Sequence, residues 1–265
     1  MSQITPQPQL AMPETPQLII TVFFAVLAVL SLINALRTAR AQRSMFPIAL
    51  FIGCGLAVTY EPLNNFLGQC VYPQQGQWTW IEAIDRKMPT FLGLIYLFYF
   101  CGSILYIMRR IAEGVTAAQW WRMYGIGVVF VTVFELVPLH YQLWEYYGDN
   151  QPLNFLMGFP AWWWFANPFC LFAMAVLFHF LRRTVLQERM SLLFIPLTPL
   201  ALMATHGPVA LPVFIALNAS QSTVVTNIAA LVSIGMSLLL MWTLGRLVCV
   251  AHGASVAAAH GRGAR

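Results

Sequence analysis

The sequence predicts an all-α integral membrane protein: a bundle of seven transmembrane helices, N-terminus outside and C-terminus cytoplasmic. Three observations predict it. Of 265 residues, 59% are hydrophobic and only 9% charged, against roughly 25% charged in a soluble domain. Apolar runs of about 20 residues, long enough to cross the hydrocarbon core as helices, recur seven times. The basic residues collect at alternate ends of these runs.

In chain order the runs fall near 18–37, 46–66, 89–108, 121–139, 159–181, 191–216 and 223–248. Together, residues 18–250 read as one membrane domain. Residues 1–17 carry Pro6, Pro8, Pro13 and Pro16 and no basic stretch ahead of the first run. They read as a disordered tail and not as a cleaved signal peptide. Residues 251–265 are rich in Ala and Gly and read as a flexible C-terminal tail. The sixth run contains Pro196, Pro199, Pro208 and Pro212. It is expected to be kinked or discontinuous, with neighbouring helices or water satisfying the freed carbonyls.

Charge sets the orientation. Arg37, Arg40 and Arg43 flank the first loop, Arg109, Arg110 and Arg122 the third, and Arg182, Arg183 and Arg189 the fifth. Arg246, Arg262 and Arg265 lie at the C-terminal end. Of the fourteen basic residues, only Arg86 and Lys87 fall on the opposite side. The positive-inside rule then places the N-terminus outside and the C-terminus in the cytoplasmic compartment, with localisation in the cytoplasmic membrane if the source is bacterial.

The net charge of +5 follows this membrane pattern, so nucleic acid is not an expected partner. Cys54, Cys70, Cys101, Cys170 and Cys249 form no CxxC pair and read as small core residues. No HExxH, GxGxxG or Walker sequence is present, so neither metal nor cofactor is expected. The only lysine, Lys87, lies in a loop, which excludes a retinal Schiff base in the last helix. Receptor-type Asp-Arg-Tyr and Asn-Pro-x-x-Tyr motifs are absent. An odd helix number without a visible repeat argues against inverted-repeat transporters. A non-enzymatic receptor, or a proton-coupled carrier using two acids, remains the alternative outside catalysis.

Those acids are Glu61 and Glu135. An ionisable residue inside an apolar span is costly and marks a functional site by default. At about 1.5 Å per residue, Glu61 lies roughly 23 Å up the second helix, Glu135 roughly 21 Å up the fourth and His206 roughly 23 Å up the sixth. All three helices run from inside to outside, so the three groups share one depth in the outer third. Tyr60, Asn64 and Asn65 surround Glu61 in sequence. Trp78 and Trp80 lie in the second loop, Tyr141 and Trp144 in the fourth, and Trp162 and Asn167 at the start of the fifth helix. An outward-opening cavity lined by acids, amides and indoles is the expectation. Plainer readings stand beside it: Glu61 can snorkel to the interface, Trp162–Trp164 can form an interfacial belt, and His206 can be a packed, hydrogen-bonded histidine. Glu82 and Asp85 can simply neutralise Arg86 and Lys87.

The stretch Thr59-Tyr60-Glu61-Pro62-Leu63-Asn64-Asn65-Phe66 resembles the acid-Pro-x-x-Asn-aromatic motif of the AveC-like spirocyclase family, bacterial multi-pass membrane proteins. The family often has Asp where this chain has Glu61. Cys70-Val71-Tyr72 through Trp78-Thr79-Trp80 resembles the loop that follows. Val131 through Pro138, with its single Glu135, is similar to the family's later Glu-bearing helix, as are Tyr146-Tyr147-Gly148 and Pro160-Ala161-Trp162. The resemblance covers roughly residues 46–180 and implies spiroketal formation on a polyketide. Fungal membrane-bound meroterpenoid cyclases are a weaker likeness. They too are small seven-helix proteins with paired acids, but their second acid lies in the last helix, where residues 223–248 have none.

The resemblance implies a membrane cyclase working without a cofactor; the apolar walls expected of the pocket imply a lipophilic small-molecule substrate, with lateral entry from the membrane lipid left open. Making a spiroketal needs a proton for the departing hydroxyl and an acceptor for the incoming alcohol's proton, as in two-carboxylate glycoside chemistry. Glu135, the deeper in its apolar run, is the expected acid and Glu61 the base, with the reverse assignment open. Aromatic faces would stabilise the cation, and Asn64, Asn65 and Asn167 would orient substrate oxygens.

Overall fold

The computed structural model describes residues 6–186 and 188–262 and is predominantly helical. Seven helices are long and apolar enough to cross a membrane: α1 (Glu14–Gln42), α2 (Phe46–Gly68), α3 (Thr90–Glu113), α4 (Ala117–His140), α5 (Ala161–Thr184), α6 (Glu188–Ala219) and α7 (Thr223–Cys249). Each coincides with one of the seven apolar runs. Local sequence sets their ends. Thr116 and Gln119 form a reciprocal capping box at the start of α4, which satisfies two otherwise orphaned N–H groups. Arg43 closes α1 in the left-handed conformation, its N–H returning to the Ala39 and Arg40 carbonyls.

α2 and α5 are central, each with 67% of its apolar window buried, whereas α4 buries 17% and α1 and α7 28% each. α2 packs most extensively on α6. A Cβ on Gly53 would lie 2.8 Å from both the Phe194 carbonyl and the Thr198 Cβ. Close backbone approach at small residues is how helices associate where lipid removes the hydrophobic drive.

Three helices depart from regular geometry, and in α2 and α3 the departure falls beside Glu61 and Tyr96. α2 passes through a 3₁₀ turn at Val58–Tyr60 before resuming at Glu61, where Pro62 lacks the N–H that would continue the ladder. α3 contains a π turn at Tyr96–Phe100, a feature often found at functional sites. α6 opens with a 3₁₀ turn at Glu188–Leu193, then runs unbroken as helix from Phe194 to Ala219 despite Pro199, Pro208 and Pro212.

One end of the bundle has short turns. The other carries two long loops that fold into small sheets, a feature the sequence reading did not anticipate. β1 (Cys70–Val71) pairs with β4 (Glu145–Tyr146), in the register Cys70↔Tyr146 and Val71↔Glu145. β2 (Thr79–Ala83) and β3 (Arg86–Pro89) form one hairpin, β5 (Asn154–Leu156) and β6 (Phe159–Pro160) another. Amides lock this cap down. Gln151 Nε2 donates to the carbonyls of Gly68, Gln69 and Tyr147, and Asn150 Nδ2 to those of Leu217 and Ser220.

Residues 10–12, expected within a disordered tail, lie on this cap: Met12 N–H donates to the Gln75 carbonyl at 2.8 Å, and Leu10 accepts from Gln74 and Gln75. Residues 1–5 of that tail lie outside the described residues. The backbone helix of α7 extends to Arg262, through most of the stretch expected as a C-terminal tail; residues 263–265 lie outside the described residues.

Arg86 does not pair with Glu82 or Asp85. It is 5% exposed, and its guanidinium donates to the Cys70 carbonyl at 2.8 Å and the Tyr147 hydroxyl at 2.7 Å. One of the two exceptions to the charge bias is therefore a buried clasp between the two long loops.

Candidate active site

Beneath the β1–β4 ladder, α2, α3, α4, α5 and α6 enclose a cavity of about 100 Å³. Glu61, Glu135 and His206 all line it, as their similar depths on three parallel helices predict. Tyr60, Asn64, Asn65, Trp144 and Asn167 line it too.

Each acid is held by specific donors. Asn65, one helical turn beyond Glu61, donates from Nδ2 to Glu61 Oε2 at 2.8 Å and also to the Glu61 carbonyl. The Tyr96 hydroxyl donates to Glu61 Oε1. Both carboxyl oxygens of Glu61 are thus occupied. Glu135 differs. Its Oε2 accepts from Trp144 Nε1 at 2.9 Å and from the Tyr146 hydroxyl at 3.4 Å, both on the fourth loop. Its Oε1 takes no hydrogen bond from any described residue.

The expectation that Glu135 is the more buried acid is reversed. Glu61 is 9% exposed whereas Glu135 is half-buried, because α4 lies at the edge of the bundle and α2 at its centre. Apolar sequence neighbours do not enclose a residue when their own side chains point out of the bundle; Val137 is 54% exposed.

The loop residues beneath the cap sense both acids. Burial pushes the Cys70 thiol well up, and the Glu135 and Glu61 carboxylates push it further. Burial likewise raises the Tyr72 phenol, with Glu61 and then Glu135 among the added causes. Tyr146 is raised by burial first and by Glu135 next. Two carboxyls that act on the same buried groups belong to one electrostatic site.

Trp78, Trp80, Tyr141 and Trp162 lie outside the cavity lining. Trp78 is 43% exposed and Trp80 42%. The Trp80 indole covers Gly93 of α3, where a side chain would collide with it. Tyr141 is 52% exposed at the end of α4. Trp162 is buried behind Trp163, stacked at 4.1 Å, and it is Trp163 that faces the cavity. Trp163 also stacks on His206 at 5.3 Å and 18°. His206 Nδ1 lies 3.5 Å from the Tyr60 hydroxyl. Its Nε2 is buried without a partner among the described residues, as is Asn64 Oδ1.

The sequence reading missed the contribution of α3. Tyr96, Tyr99 and Phe100 all line the cavity, gathered by the π turn, with Tyr96 and Phe100 stacked at 4.1 Å and 9°. A run of Tyr-Leu-Phe-Tyr-Phe in an apolar helix carries no signal for a widened turn. The Tyr72 and Tyr146 rings complete a largely aromatic wall. Among the described residues no cluster of His, Cys, Asp and Glu could hold a metal. The arrangement can hold a proton on one carboxyl, accept one at the other, and surround a cation with π faces. Comparison of the chain with protein-family models, curated proteins and solved structures finds no match.

Proposed function

We propose that the protein is an integral membrane cyclase that closes rings on a lipophilic intermediate by cofactor-independent acid/base chemistry, of the spiroketal-forming type. The observation that carries this reading is one aromatic cavity lined by both Glu61 and Glu135, with every Glu61 oxygen hydrogen-bonded and one Glu135 oxygen open. In the proposed orientation the arginine-rich end is cytoplasmic and the capped cavity lies toward the outer face.

In the proposed reaction a hemiketal of a dihydroxyketone sits between the two carboxyls. The open oxygen of Glu135 carries the proton and delivers it to the hemiketal hydroxyl, which leaves as water. Tyr99, Phe130 and Trp163 face the resulting oxocarbenium ion, and aromatic faces stabilise such charge. The second alcohol forms the new C–O bond and loses its proton to Glu61, whose carboxylate is preset by Tyr96 and Asn65. One water is released, and a proton passing back from Glu61 to Glu135 restores the pair. Acid/base assistance of this kind is worth about 10²–10⁴-fold per group.

Glu61→Gln and Glu135→Gln are each expected to abolish product while leaving a folded, membrane-inserted protein. Full activity in either variant removes that residue from the mechanism. The rich aromatic lining also suits a second reading, a terpene or meroterpenoid cyclase in which the acid protonates an epoxide or alkene. Membranes supplied with a polyketide dihydroxyketone or with an epoxy-prenyl substrate separate the two. pH-dependent flux of an unaltered solute across sealed liposomes would instead identify a proton-coupled carrier.

A further inference from the structure

The arginine-rich end holds a second cavity, of about 480 Å³, that the acid chemistry does not use. α1, α3 and α5 enclose it. Arg109, Arg182 and Arg183 supply positive charge against one lining carboxylate, Glu188, and Asn34 and Thr38 of α1 supply neutral polar groups. Arg109 is paired with Glu113 at 2.7 Å and Arg182 with Glu188 at 2.6 Å. Arg183 makes no ion pair among the described residues. Orientation in a membrane needs positive charge at one end; it does not need that charge to line a chamber.

The chamber adjoins an apolar groove of about 390 Å³ on the bundle's outer surface between α3, α4 and α5, walled by Ile107, Met123 and Leu171 among others. Gly102 and Tyr106 line both spaces. A Cβ added at Gly102 would meet nothing within 4 Å, so there is free space at the glycine that the two share. The far end of the groove is lined by Tyr99 and Phe130, rings stacked at 5.4 Å that also line the acid cavity. Arg109 and Tyr99 are ten residues apart on α3, about 15 Å along a helix, which is half of a hydrocarbon core about 30 Å thick. A cationic, hydrogen-bonding chamber opening into a groove one leaflet deep has the shape and charge of an anionic lipid.

We infer that this chamber and groove bind one anionic phospholipid. Its phosphodiester lies against Arg183, its glycerol and ester oxygens face Asn34 and Thr38, and one acyl chain runs past Gly102 to Tyr99 and Phe130. The chain end then forms the outer packing of the acid-cavity wall. This inference is independent of what the acid cavity does.

The full-length protein, delipidated in detergent and supplied with phosphatidylglycerol or phosphatidylcholine, tests it by native mass spectrometry. One retained phosphatidylglycerol is expected, in preference to phosphatidylcholine. Arg183→Gln should reduce phosphatidylglycerol retention about fivefold, the effect of one basic residue near a lipid surface, and leave phosphatidylcholine unchanged. Gly102→Leu should reduce retention of both lipids by filling that shared space. If that variant fails to fold, Ile126→Trp fills the same groove from its exposed side. Equal retention of the two lipids by the unmodified protein overturns the inference. So does a phosphatidylglycerol preference that survives Arg183→Gln, or full displacement of the lipid by glycerol phosphate alone, which would leave the groove without a role.

Discussion

Replacing Tyr96 by Phe isolates one atom of the site. The ring of Tyr96 is 3% exposed and stacked on Phe100, so Tyr96→Phe keeps the packing and deletes only the hydroxyl. That hydroxyl is the donor to Glu61 Oε1, while Asn65 serves Oε2. The hydrogen bond to Oε1 is lost, while the Asn65 bond to Oε2 remains. A hydrogen bond to a charged group contributes about 1.5–3 kcal/mol, which corresponds to roughly ten- to a hundredfold in rate if Glu61 acts as a carboxylate. Tyr99→Phe is the internal control. Tyr99 lines the same cavity, but its hydroxyl bonds to no described residue, so its removal should change rate less than about threefold. The assay is product formation in isolated membranes, with thermal unfolding of each purified variant alongside. Equal rates and equal unfolding midpoints for the two variants would refute the assignment of Glu61 to the chemistry through Tyr96.

Gly53→Leu should destabilise the bundle by about 1–3 kcal/mol or prevent folding, since even an added Cβ would lie 2.8 Å from the Phe194 carbonyl and overpacking forces shifts; a lowered yield of monodisperse protein reads this. Arg86→Ala should cost about 3 kcal/mol in thermal unfolding, because two charge-assisted hydrogen bonds are lost, whereas Glu82→Gln, exposed and unpaired among the described residues, should stay within about 0.5 kcal/mol. Burial and the two carboxylates hold the Cys70 thiol above its ordinary range, so it stays protonated at pH 7–8 and the reactive thiolate is scarce. Maleimide should therefore fail to label Cys70 in the folded protein at pH 8, and rapid labelling there would contradict the buried site.

The spans were readable because membrane length and charge asymmetry act on whole segments of the sequence. The common depth of Glu61, Glu135 and His206 followed from counting residues along parallel helices, and the structure brings all three to one cavity. What could not be read depends on rotation about a helix axis and on local irregularity. Trp162 and Trp163 are neighbours, but about 100° of helical rotation decides which ring meets the cavity. Tyr96 reaches Glu61 through a π turn that no residue pattern announces. The caps on the two long loops were missed because strands of two to five residues fall below any periodicity that alternation can reveal. Relative burial of the two acids failed for a related reason: hydropathy counts apolar neighbours without knowing whether they face protein or lipid.

The β1–β4 ladder has a bearing on how the site can change. It joins the chain just beyond the helix of Glu61 to the chain just beyond the helix of Glu135, through backbone bonds in a fixed register. The spacing between the two acids is thereby measured out by the main chain, like a ruler, and not by the rings that fill the space between them. Tyr99, Phe130, Phe134 and Trp163 can be exchanged for other shapes while the ruler holds. Under the proposed acid/base reading, a scaffold of this kind separates the part that would transfer protons from the part that would recognise a molecule, so the walls alone can be varied to test new substrates.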